Sequence, residues 1–110
     1  MSSEMEKLEK QIPLMLRTLE NAMRGGYNLV QAFEKVASDV PAPLGTDAQT
    51  LVDELKNGTA ITNALDNWFK RTPSPSLDLV FAALRVQLET GGNLPDKLNL
   101  LGQILEHRSK

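Results

Sequence analysis

Three glycine-centred breaks, at Gly26, Gly58 and Gly91, constrain this chain more than any other feature. They lie 32 and 33 residues apart, and the flanking residues repeat with them. Seven positions before each glycine stand Leu19, Leu51 and Leu84, and three before stand Met23, Leu55 and Leu88. Three positions after come Leu29, Ile61 and Leu94, seven after come Phe33, Leu65 and Leu98, and ten after come Val36, Trp68 and Leu101. Steps of three, four and seven put such residues on one face of a helix on either side of the turn. The pattern predicts an all-α fold: a six-helix antiparallel bundle of three helix–Gly turn–helix hairpins, whose apolar faces are buried together. Tetratricopeptide repeats have nearly this period, but their Trp-x-x-Leu-Gly-x-x-Tyr signature is missing.

The other breakers fit six helices. Pro41-Ala-Pro43 and Pro73-Ser-Pro75 separate the hairpins, and the segments predict helices near 5–24, 29–39, 43–56, 60–71, 76–89 and 94–107. Pro13, Pro43 and Pro75 are read as helix openers, because a first-turn position has no use for the missing N–H. Asn28, Thr59, Ser76 and Asn93 are the expected N-caps. Gly26, Gly58 and one of Gly91 or Gly92 are expected in left-handed turns. The stretch from Leu77 to Leu88 is apolar almost all round, broken by Asp78, Arg85 and Gln87, which predicts a central helix contacted on both sides. The third helix, with Thr46, Asp47, Asp53, Glu54 and Lys56, has a polar face and belongs outside. Residues 1–10 read as a charged lead-in and 11–108 as a single helical domain.

Length and charge narrow the function. A chain of 110 residues makes one ordinary domain. Without cysteine it has no disulfide framework, thiolate zinc site or cysteine nucleophile. Fourteen acidic against twelve basic residues, interspersed, give no nucleic-acid footprint. The charged N-terminal stretch lacks the apolar core of a signal peptide. The longest apolar run, Leu79 to Leu84, falls far short of the ~20 residues of a membrane span. A small, soluble, intracellular domain is the expectation.

Catalytic constellations are hard to build from these residues. His107, the one histidine, stands between Glu106 and Arg108 near the end of a helix, where a cation is favoured by the dipole. Asp53 and Glu54 are adjacent, so on a helix they diverge by about 100° and read as a solvated face rather than an acid/base pair. Gly25-Gly26 and Gly91-Gly92 follow helices and lack the Lys-Ser/Thr of a phosphate loop. No Glu-x-x-His pair exists for a di-iron bundle. Trp68-Phe69 reads as core. Lys70-Arg71 closes the fourth helix and could also face an acidic partner or lipid head groups. The residues predict no catalytic, metal or cofactor site, hence a non-enzyme.

Taken in order, the hairpins resemble a known family. Pro13-Leu-Met-Leu-Arg-Thr-Leu leads to Gly25-Gly26-Tyr-Asn-Leu29-Val-Gln-Ala32-Phe33. Leu51-Val-Asp-Glu-Leu55-Lys-Asn-Gly58-Thr-Ala-Ile61-Thr-Asn-Ala64-Leu65 follows, and then Glu89-Thr-Gly91-Gly92-Asn-Leu94-Pro-Asp-Lys-Leu98. Over residues 11–107 the chain resembles the cytoplasmic domain of the type II secretion system F-domain family. The Gly-Gly-x-Leu ending looks most like the tight-adherence (Flp) pilus branch, with archaeal relatives kept alongside. The resemblance implies a helical bundle on the cytoplasmic face of the inner membrane, joining a hexameric secretion ATPase and other secretion or pilus assembly proteins to the membrane machinery. It implies no catalytic residues or cofactor, allows a homo-oligomer, and places membrane helices in flanking segments outside residues 1–110.

The basic residues Arg17, Arg24, Lys70, Arg71 and Arg85 are the candidate partner contacts. The alternative is a soluble helical-repeat adaptor that grips a partner helix or peptide in a groove.

Overall fold

The computed structural model describes residues 3–108, which form six helices and no strand. These are α1 (Ser3–Arg24), α2 (Leu29–Asp39), α3 (Leu44–Lys56), α4 (Ile61–Arg71), α5 (Pro75–Thr90) and α6 (Leu94–Arg108). The all-α prediction holds, with each helix end within two residues of the expected one.

The turns show why the chain breaks where it does. Gly26 and Gly58 have φ of +99° and +95°. In the first turn the Gly26 N–H donates to the Met23 carbonyl and the Tyr27 N–H to the Ala22 carbonyl. The Gly58 N–H to Leu55 and the Thr59 N–H to Glu54 repeat this, the paired bonds that satisfy the last carbonyls of a helix around a left-handed residue. The third turn is built differently. Gly91 and Gly92 both have positive φ, at +78° and +101°, and the Gly91 N–H returns to the Gln87 carbonyl.

Capping follows the sequence in part. Asn28 accepts from the Gln31 N–H while the Gln31 side chain accepts from the Asn28 N–H, a reciprocal cap. Asn93 accepts from the Asp96 N–H. Thr59 does not cap α4; the N-cap is Ala60, because Thr59 is engaged in closing α3. Ser76 is likewise replaced by Ser74, whose hydroxyl accepts from the Leu77 N–H with Pro75 at the first helical position. Ser76 instead donates to Glu9.

Pro13 does not open a helix. It lies inside α1, which runs unbroken from Ser3. The lost N–H bond is offset by a long buried stripe of Leu8, Ile12, Met15, Leu16, Leu19 and Ala22. Of the charged stretch 1–10, residues 1–2 lie outside the described ones, and residues 3–10 are the first turns of that same helix. Leu8 is 1% exposed, and Glu9 accepts hydrogen bonds from Ser74 and Ser76 of the α5 start.

Packing is organised round α1, which touches α2, α3, α5 and α6, while α4 bridges α3 and α5. A central α5 was the expectation, and the structure overturns it. That helix buries Leu77, Val80, Phe81 and Leu84 and leaves Leu79, Ala82 and Val86 outside. Apolar residues all round show that both faces could be covered, not that neighbours exist to cover them. Trp68 links three helices, with Phe33 of α2 at 6.3 Å between ring centres and Phe81 of α5 at 5.2 Å. A radius of gyration of 12.8 Å matches the about 13 Å of a compact domain this size, so the repeat closes into a bundle rather than an open solenoid.

The repeated positions are buried unevenly. Leu19, Leu51 and Leu84 are all buried, as are Phe33, Leu65 and Leu98. Three positions before the glycine, Met23 and Leu55 pack against the core, but Leu88 is 43% exposed. The third unit therefore departs from the other two both at its turn and in its packing.

Candidate interaction surface

The basic residues singled out in the sequence do not form one free positive patch. Arg17 pairs with Glu106 and Arg24 with both Glu20 and Asp96, so two of them fasten α1 to α6. Hydrogen bonds donated to Asp96 first, then to Glu20, hold the Arg24 pKa above its ordinary value. Arg71 reaches Glu54 of α3 at 3.3 Å, and Arg85 pairs with Asp66 of α4. Such solvent-facing pairs add little stability, but they use the charge a partner would need. Lys70 differs: it is exposed and forms no ion pair among the described residues.

The acidic residues of α3 turn out to be less solvated than their spacing suggests. Asp47 accepts from the Trp68 indole N–H at 3.2 Å and from the Thr72 hydroxyl at 3.1 Å. Glu54, half-buried, accepts from Asn67 and Arg71, whereas Asp53 accepts from Gln49 one turn away on its own helix. Adjacent in sequence, Asp53 and Glu54 serve different partners. Trp68 is fully buried, in keeping with its reading as core.

The surface hollows are open and shallow in chemistry. His107 borders a depression of about 410 Å³ with Leu100, Gln103 and Ile104. Between α1 and α2 a cleft of about 330 Å³ is lined by Thr18, Asn21, Tyr27, Lys35 and Asp39, with the Lys35 ammonium 5.1 Å from the Tyr27 ring centre. Among the described residues no three of His, Cys, Asp and Glu gather as metal ligands would. The two hollows are lined by apolar side chains, single charges and hydrogen-bonding groups.

Sequence reasoning missed the exposed apolar residues. Leu79 (37%), Val86 (59%) and Leu88 of α5, with Leu100 (49%) and Ile104 (42%) of α6, stand in solvent. The available signal was the all-round apolar character of α5, which fits an uncovered face as well as a buried one.

A helical surface built for contact suits an assembly component, and comparison with known families decides which kind. The family model described as Type II secretion system (T2SS), protein F matches residues 15–110. The chain belongs to this protein F family. Its members are membrane platform proteins of type II secretion and pilus assembly, not enzymes, and work among other components of that machinery. No curated protein and no solved structure gives a match to the chain. Among the described residues, no helix of this F domain is long and apolar enough to cross a membrane.

Proposed function

We propose that residues 11–108 are the cytoplasmic domain of an inner-membrane platform protein and couple a secretion ATPase to the membrane assembly machinery. The protein F match over residues 15–110 carries this reading. The domain itself is proposed to be non-catalytic and cofactor-free, with membrane attachment through flanking segments. Its placement in the Flp pilus branch rests on the Gly91-Gly92-Asn-Leu94 ending alone. Rigid helices packed round α1 suit mechanical coupling, because packed cores move between discrete arrangements rather than deforming smoothly.

Lys70 and Arg71 are the proposed contact, with Arg17, Arg24 and Arg85 as further candidate positions elsewhere on the surface. Lys70→Glu is the cleaner test, because reversing Arg71 would also set a carboxylate against Glu54. In a pulldown with the secretion ATPase, Lys70→Glu is expected to weaken capture while leaving the melting temperature within about 2 °C, as for surface changes under 0.5 kcal/mol. Undiminished capture removes that contact.

A further inference from the structure

Carboxylates in this protein are almost all occupied. Beyond the first turn of α1, each described Asp or Glu side chain holds an ion pair or hydrogen bond, with two exceptions. Asp78 and Glu89 have neither, and both lie exposed on α5. They are eleven residues apart, which is three turns and about 16 Å along the helix axis. Asp78, Leu79, Ala82, Val86 and Glu89 fall within about a 100° arc at 100° per residue. The outer face of α5 is therefore an apolar stripe with an unpaired acid at each end.

The two acids are not explained equally by the helix itself. Asp78 sits in the first turn, where a negative charge complements the dipole. Glu89 sits in the last turn, where it opposes the dipole and where α5 has no basic residue to offset it. The apolar part is also costly to leave in water, with Val86 at 59% and Leu79 at 37% exposed. Arg85, the one cation of α5, is taken up by Asp66.

We propose that this face docks a partner helix whose apolar stripe is bracketed by two basic residues about three turns apart. Charge complementarity selects that occupant. A second copy of the chain meeting this face about a two-fold axis would set acid against acid, in parallel or antiparallel register. An anionic bilayer would meet the same repulsion. This face is separate from Lys70, and its docking role does not depend on the ATPase assignment.

The test uses two 18-residue helical peptides with the same leucine stripe, one carrying Arg and the other Glu at two positions eleven apart. Fluorescence anisotropy with the intact chain at low salt should show the Arg peptide binding about tenfold more tightly or better. The preference should shrink as salt rises to about 1 M, where screening acts within about 3 Å. Val86→Asp should abolish binding of both peptides with an unchanged helical circular-dichroism spectrum. Asp78→Asn with Glu89→Gln should keep apolar binding but remove the Arg preference, which separates charge matching from simple stickiness. Equal affinity for the two peptides, no binding of either, or binding that survives Val86→Asp overturns the proposal. So does a sedimenting dimer dissociated by Val86→Asp and untouched by the Arg peptide, which would make the occupant a second copy. Val86-dependent binding to phosphatidylglycerol vesicles would make the occupant a membrane and overturn it too.

Discussion

At the scale of single residues, Gly58 and Gly45 show two ways in which glycine is required. Gly58 has φ of +95° and open space where a Cβ would go, so the demand comes from the backbone alone. Gly58→Ala should lower stability by about 1 kcal/mol, and Gly58→Val by about 1–2 kcal/mol or more, in urea unfolding. Gly45 has no such φ, but a Cβ there would stand 1.8 Å from the Val40 carbonyl oxygen. A backbone atom cannot step aside as a side chain can. Gly45→Ala should therefore cost about 3 kcal/mol, at the upper end for overpacking, and a neutral result would contradict the α2–α3 packing. The first glycine was legible because turn chemistry is local. The second was not, because it depends on how closely the end of α2 approaches the first turn of α3.

Between residues and the whole molecule, α3 and the start of α5 show what amphipathic pattern leaves undetermined. Periodicity puts Ala48, Leu51, Val52 and Leu55 on the α3 core face; the first three are buried, and Leu55 packs against the core half-buried. It does not distinguish Asp47 from Asp53, both on the polar side. Packing does, since α4 brings Trp68 and Thr72 onto Asp47 and leaves Asp53 with Gln49. Asp47→Ala should destabilise by about 1–3 kcal/mol by stranding the indole N–H, whereas Asp53→Ala should stay within about 0.5 kcal/mol. Caps allow a similar comparison. Ser74 is fully buried and holds both Glu9 and the Leu77 N–H, so Ser74→Ala should cost about 1–2 kcal/mol and exceed Ser76→Ala in thermal melts. Sequence placed this cap two residues late, because either serine beside Pro75 satisfies the local rule.

For the molecule as a whole, helix number and approximate ends were legible, while the order of the layers was not. Hydrophobicity suggested that α5 sat at the centre, but α1 takes that place, with α5 on the outside. The difference is topological. The chain winds from α2 to α6 with each helix packed on the next, and α1 packs against all of these except α4. The candidate contacts were legible only as residue types. Their internal pairing depends on which helices meet, and it leaves Lys70 as the exposed, unpaired basic candidate. Membership of the protein F family shows a secretion or pilus platform protein, and coupling to a secretion ATPase is what we propose for it. The most direct test of that coupling is binding of the purified F domain to a secretion ATPase from the same organism, by biolayer interferometry, with wild type and Lys70→Glu in parallel. Wild type should bind saturably, and an equally stable Lys70→Glu should bind more weakly. No binding by the folded wild-type domain would contradict the coupling.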